Sequence, residues 1–280
     1  MMHNSVIYIA KKEFMDNIRN KWIIILSTLF AVLTIVFSLF GAIFSTGWQD
    51  IGGTISSMMS IVNLLVPIIA LILGYGAVIG EIEKGSMNAL LALPTTRLEI
   101  ILGKLFGLGS ILSASIIIGF GTAGVIISLN ISDPDILAYL VFMFATILLG
   151  LVFLSMAIFF STLFKKRSSA IGGAILLWIL FIIVIPTVIQ GMVISEVGID
   201  ALMSGKQVDV PDWYYTVQLS DPGSIYQSII SLAIPSFNSN ILFRMSYPEY
   251  YTPLSLSLLL VLWVIVFFLL SYWRFSVRDI

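Results

Sequence analysis

The chain has 280 residues, 59% of them hydrophobic and only 10% charged, with a net charge of −1 and a mean hydropathy of +1.07. Soluble domains carry about 25% charged residues, so this is the composition of an integral membrane protein, and its balanced charge offers no field for a nucleic acid. The absence of Cys excludes disulfides, iron–sulfur clusters and thiol catalysis, while a lone His3 leaves His/Cys zinc sites and Ser–His catalysis without their parts.

Residues 4–20 read as an amphipathic helix. Val6, Ile7, Ala10, Phe14 and Ile18 fall within an arc of about 120° on a helical wheel, opposite Lys12, Asp16 and Arg19. Such a helix suits the membrane interface ahead of a first span. The apolar run that follows it is too long for the core of a signal peptide. A span needs about 20 apolar residues. Six runs meet that need, near 22–44, 57–79, 105–129, 136–164, 168–194 and 253–273, and none contains Asp, Glu, Lys or Arg. Pro186 predicts a kink in the fifth, and Asn63 with Pro67 weakens the second. Asn63 and Gln190 are expected to hydrogen-bond between helices. Gly76 with Gly80, and Gly103 with Gly107, have the spacing that lets helices approach closely.

The polar stretch between the second and third spans, GEIEKGSMNALLALPTTRLEIILGK over residues 80–104, holds three Glu, two Lys and one Arg. Charge at bilayer depth costs about 2.5–3.5 kcal/mol per residue even on the mildest scale, so this loop lies in water. Gly80 and Gly85 bracket Glu81 and Glu83, and Ser86 is placed to cap a short helix over Met87–Leu93. Pro94 ends that helix, and Thr96 with Glu99 forms a capping box for the next one, which passes Arg97, Gly103 and Lys104 into the third span. Arg97, beyond the Pro94 elbow, is expected to pair back to the acidic pair. Lys165, Lys166 and Arg167 read as topogenic anchors. Twelve of the fourteen basic residues fall on the side of the 80–104 loop, which makes that side and both termini cytoplasmic. The loop 195–252 is then external. Trp213, Tyr214 and Tyr215 suit a headgroup region there, and the run Ile225–Ile234, closed by Pro235, is too short to span and reads as a re-entrant or interfacial helix.

The pattern Glu81-x-Glu83-x-Gly85-Ser86, Leu90-Leu91-x-x-Pro94, Arg97, Gly103-Lys104 resembles the cytoplasmic loop of ABC-2 type transporter permeases. In length and layout the chain is similar to the NosY-like group, the permeases of the nitrous-oxide-reductase maturation exporter. The resemblance implies one all-α transmembrane domain over 1–280, with six spans, an N-terminal elbow helix and short external re-entrant helices before the last span. It implies a separate ABC ATPase subunit that binds ATP and Mg and docks on the 80–104 loop, a second copy of this chain, and a location in the plasma membrane. It also carries Glu81, Glu83, Gly85, Ser86, Pro94, Arg97, Gly103 and Lys104 over as ATPase-coupling residues.

Independently of that resemblance, the chain has no G-x-x-x-x-G-K-[ST] phosphate loop, so any ATP that drives it is held by another polypeptide. Spans without charge disfavour proton-coupled carriers. A carrier built on broken helices at Asn63/Pro67 and Pro186/Gln190 stays open, as does a membrane anchor for an assembly. Isolated Ser and Thr give an intramembrane enzyme no nucleophile–base pair. Met58, Met59, Met192, Met203 and Met245 lie toward the outer side, but no spacing singles out a thioether metal site. No metal or cofactor is assigned to this chain, and its substrate is expected to be apolar or amphipathic, or one handed over without long residence.

Overall fold

The computed structural model describes residues 2–19, 21–44, 51–129, 135–198, 208–234, 243–244 and 247–278. Pro235, Met203 and Met245, used in the sequence reading, lie outside the described residues. The architecture is all-α. In chain order the helices are α1 (Met2–Arg19), α2 (Trp22–Phe44), α3 (Ile51–Gly74), α4 (Ile79–Glu83), α5 (Ser86–Leu91), α6 (Arg97–Ser128), α7 (Ile136–Leu163), α8 (Arg167–Ile179), α9 (Ile185–Val197), α10 (Asp212–Gln218), α11 (Pro222–Ala233) and α12 (Pro253–Ser276). Among the described residues the strand pairing is a two-residue parallel bridge, Val208–Asp209 with Phe243–Arg244.

Five segments among the described residues are long and apolar enough to cross a membrane: Val62–Glu83, Arg97–Ser128, Ile136–Leu163, Arg167–Val197 and Pro253–Ser276. A bent pair, Ser5–Arg19 with Ile24–Val36 and 68° between its arms, raises the number to six when counted as one span. The bend falls at Lys21, whose φ of 59° is left-handed and breaks the helical path. The chain is thus a multi-pass membrane protein.

Glycines set the distances between these helices. On α6, a Cβ at Gly103 would stand 2.6 Å from the Ile9 side chain, and one at Gly107 would stand 2.8 Å from the Ala10 carbonyl oxygen. The small-residue spacing read from the sequence therefore seats α1 on α6. One face further along, Gly119 admits Phe30 and the Ser27 carbonyl of α2. Gly76 and Gly80 do not serve that purpose. A Cβ at Gly80 would meet nothing within 4 Å, and Gly76 faces the Arg167 guanidinium. The reason is that α3 ends at Gly74, so this pair sits on a turn and a new short helix instead of one helical face.

The core centres on α7, which α3, α6, α11 and α12 contact, while α2 lies along α6. Phe30, Phe120 and Phe142 join α2, α6 and α7 with ring centroids 4.9 and 5.3 Å apart. The Tyr139 hydroxyl donates to the Phe120 carbonyl at 2.7 Å. Pro67 is accommodated inside α3. At Pro186 the fifth span loosens into a π-helical turn, Leu180–Val184, immediately before the imino acid that cannot donate to the preceding turn. α11 is capped by Asp221, which accepts from the Gly223 and Ser224 amides, and Ile225, Tyr226, Ile229 and Ile230 are fully buried beneath it. Asn63 does not make the expected bond through its oxygen: Oδ1 is buried without a hydrogen-bond partner and sits where a Cβ at Gly223 would intrude at 2.7 Å. Gln190 lies on the exposed face of α9.

Candidate coupling site

The segment after α3 is built around one hydroxyl. Ser161 Oγ, near the end of α7, accepts the Val78 and Ile79 amides at 2.9 and 3.0 Å and so satisfies the orphan donors that open α4. On α4, Glu81 and Glu83 are two residues apart and point about 200° from each other. They take different partners accordingly.

Glu81 turns toward α1 and α6. Its Oε1 lies 2.8 Å from Lys12 Nζ and its Oε2 lies 2.7 Å from Lys104 Nζ. Lys104 Nζ also stands 2.8 Å from Glu13 Oε1. The Lys104 side chain is 1% exposed, against 45% for Lys12. A buried ammonium is tolerated only when it is paired and hydrogen-bonded, and two carboxylates supply that here. With Lys12 included, the four charges sum to zero. The network ties α4 to α1 and to the start of α6.

Glu83 turns the other way. Its Oε1 accepts the Arg167 backbone amide at 2.7 Å, which places a carboxylate on the positive N-terminal end of α8. The Arg167 guanidinium donates to the Tyr75 hydroxyl at 2.8 Å and lies 5.2 Å from that ring. Arg167 therefore belongs to this site, beyond the anchoring role read from its charge. Lys165 and Lys166 are exposed.

Two expectations for the loop are corrected. Ser86 does not cap α5; it is the first residue of that helix, and its Oγ donates to the Glu81 carbonyl at 3.3 Å. The N-cap position belongs to Gly85, whose φ of +73° lies in the left-handed region that glycine enters without a Cβ penalty. Because the chain reverses there, the acidic pair addresses α1, α6 and α8 and not the N-terminus of α5. Arg97, in turn, does not pair with Glu81 or Glu83. Its Nη1 donates to the carbonyl oxygens of Phe275, of Ser276 at 3.0 Å and of Arg278 at 2.8 Å, and its guanidinium lies 5.5 Å from the Phe275 ring. The last turn of α12 leaves carbonyls without intrahelical donors, and a cation satisfies several at once.

The remaining loop residues frame α5. Met87 is buried beneath it, while Asn88, Ala89, Ala92, Leu93 and Pro94 are exposed. Pro94 has no amide to continue the helix, and Thr95 Oγ1 donates to the Leu90 carbonyl at 3.1 Å, which satisfies an acceptor at the end of α5. The capping box forms as its spacing predicts: Thr96 Oγ1 accepts the Glu99 amide at 3.2 Å, and Glu99 Oε2 accepts the Thr96 amide at 2.7 Å. Arg278 Nη1 donates to the Thr162 carbonyl at 2.9 Å, so the chain's end also ties to α7. Glu81, Lys104 and Gly103 thus gather around α1, Glu83 reaches α8, and Arg97 reaches α12.

Sequence reasoning missed Lys12, Glu13, Tyr75, Ser161 and Arg278. The adjacent opposite charges at Lys12 and Glu13, on a helix with an otherwise apolar face, were the available signal. A polar cavity of about 290 Å³ bounded by Glu13, Glu81, Lys84, Lys104 and Arg167 lies behind α4. Among the described residues no group of three or more His, Cys, Asp or Glu is arranged to hold a metal ion.

A family model described as ABC-2 family transporter protein matches residues 7–280. The chain is 39% identical over 201 residues to the probable ABC transporter permease protein NosY of Stutzerimonas stutzeri, covering 70% of this chain and 73% of that relative. It is 35% identical over 196 residues to the protein of the same name from Pseudomonas aeruginosa, covering 68% and 71%.

Proposed function

The chain belongs to the ABC-2 family of transporter proteins and is the permease subunit of an ABC transporter, and on that premise we propose that its 80–104 loop docks and couples a separate ABC ATPase. The chain is the non-catalytic, membrane-spanning part; ATP and Mg belong to the partner. One observation carries this reading. α5 and the turn that follows it present a small, mostly apolar outer surface of Ala89, Ala92, Leu93 and Pro94, while the residues around them are bonded to the ends of other helices. A short surface helix anchored by buried Met87 and followed by exposed Leu93 is built to be gripped.

The twelve basic residues on the loop side support a cytoplasmic loop and cytoplasmic termini. α1 is then an elbow lying in the inner interface, and α11 is a re-entrant helix on the outer side. Two copies of the chain, each on its own ATPase, frame one path, whose uncharged walls suit an apolar or amphipathic substrate moved outward. The resemblance of the loop and the names of the relatives support this assembly.

Leu93 is 54% exposed, so Leu93→Glu and Ala89→Glu leave the fold intact. The expected result is an inserted, monodisperse permease that no longer retains its ATPase through affinity purification. Undiminished ATPase retention in the Leu93→Glu/Ala89→Glu double variant, with normal transport-coupled hydrolysis, overturns the assignment.

A further inference from the structure

We propose that the groove between α1 and the first turns of α6 is a binding site for one anionic phospholipid of the cytoplasmic leaflet. The groove encloses about 780 Å³, within the roughly 300–1,000 Å³ of small-molecule sites. Val6, Ala10 and Phe14 of α1 form one wall, and Leu98, Leu102 and Phe106 of α6 form the other. These walls are apolar, and they lie on the opposite side of the Gly103/Gly107 seam from solvent-facing Lys12.

The occupant follows from charge and depth. Lys11 stands at the groove, exposed, and among the described residues it enters no ion pair, although its neighbour Lys12 does. Glu99 also lines the groove, but its Oε2 is taken by the Thr96 amide and hydroxyl at 2.7 and 3.0 Å. Glu99 is thus buried and turned into the cap of α6, while Lys11 is the charge exposed at the rim, where it meets a phosphate headgroup. The outer side of α1 continues the apolar surface, with Ile7 54%, Met15 42% and Ile18 40% exposed. A helix with this pattern lies at the headgroup boundary, where acyl chains enter from below and phosphate stays level with lysine. An acyl chain in the groove presses α1 onto α6 from the side opposite the Glu13–Lys104–Glu81 network, so occupancy supports the network that holds the loop. The choice of leaflet rests on the cytoplasmic placement of the loop proposed above; the groove itself does not.

The test uses the full chain purified from nanodiscs of phosphatidylcholine with 30% phosphatidylglycerol, followed by quantification of retained lipid after delipidating washes. Wild-type protein is expected to retain about one phospholipid per chain, with phosphatidylglycerol enriched at least threefold over its share. Lys11→Gln is expected to keep the lipid but lose the enrichment. Ser110→Trp, at an exposed groove position, is expected to remove most of the retained lipid while the protein stays monodisperse. Equal retention in Ser110→Trp, or undiminished enrichment in Lys11→Gln, overturns the proposal. So does protection of a bimane label at Ile7→Cys from brominated acyl chains, which is the result expected if a protein segment fills the groove. The chain has no native Cys, so that label is unique. Reaction of Lys11→Cys with an impermeant thiol reagent from the external side of sealed vesicles overturns the leaflet and the orientation, and leaves the retention result standing.

Discussion

Glu81→Gln is the sharpest perturbation of the site. It keeps the side chain's size and removes one of the two carboxylates around Lys104, which stands 2.7 Å from Glu81 and 2.8 Å from Glu13 with 1% of its side chain exposed. Removing one partner of a buried pair costs about 3–5 kcal/mol when nothing else compensates. Glu13 remains, and Glu81 itself is 16% exposed, so the expected loss falls below that range, at about 2–3 kcal/mol. At about 2–4 °C per kcal/mol for chains of this size, the apparent melting temperature should drop by about 4–12 °C. The six Trp residues allow this to be followed by intrinsic fluorescence in detergent at matched scan rate. Lys12→Gln serves as the control. Lys12 is 45% exposed, so its loss is expected to cost about 0–1 kcal/mol although it meets the same carboxylate at 2.8 Å. A second variant, Glu81→Gln with Lys104→Met, removes the stranded charge and should recover a large part of the loss. Equal melting temperatures for Glu81→Gln and wild type, or a greater loss in Lys12→Gln, would falsify the view that a buried ammonium anchors this loop.

Glu83→Ala removes the cap from α8 and should cost about 0.5–2 kcal/mol, read as faster amide exchange over Arg167–Ala170 with the rest of the chain unchanged. Gly85→Val forces a β-branched residue to a φ of +73°, at a cost of about 1–3 kcal/mol. Since a Cβ there meets nothing within 4 Å, Gly85→Asn should recover most of the stability, and equal damage by both variants would point to a contact and not to the backbone. Arg97→Ala leaves the carbonyls of Phe275 and Ser276 without their cation and should open the C-terminal turn of α12 to carboxypeptidase, with unchanged melting of the remaining chain; protection equal to wild type rejects the clamp.

The elements that depend on composition and local spacing were legible in the sequence: long uncharged runs, the capping box at Thr96 and Glu99, and a helix at the N-terminus. Local rules also located the polar loop and its short helix. They failed where two candidates competed for one charge. Arg97 looked like a partner for Glu81 and Glu83 because it was the nearest cation across Pro94, yet the end of α12 lies closer in space and 178 residues away in sequence. Lys104 read as the edge of a span, and nothing local told that Glu13, 91 residues earlier, would reach it. Ser86 looked like a cap because it preceded an apolar stretch. The left-handed turn at Gly85 had already reversed the chain, and such a turn leaves only a glycine as its signature.

Within a bilayer, apolar contact gives neighbouring helices little directional preference, because lipid tails are as apolar as the side chains. Direction has to come from polar bonds, and around the 80–104 loop those bonds fall on helix ends. Anions meet N-termini, as Glu83 does on α8 and Glu99 on α6; the cations Arg97 and Arg278 meet the carbonyls that end α12 and α7. α4 is the branch point between the two sides of this wiring. Its link to α1 and α6 runs through a buried ammonium shared by two carboxylates, whereas its link to α8 is one capping bond with Glu83 exposed to water. The first resists displacement far more than the second. A load applied to α5 therefore carries α1 and α6 along with the loop and separates it first from α8. α8 itself runs into the π-helical turn Leu180–Val184 ahead of Pro186, so the span held to the loop by the weaker bond is also the one whose helix is locally loosened.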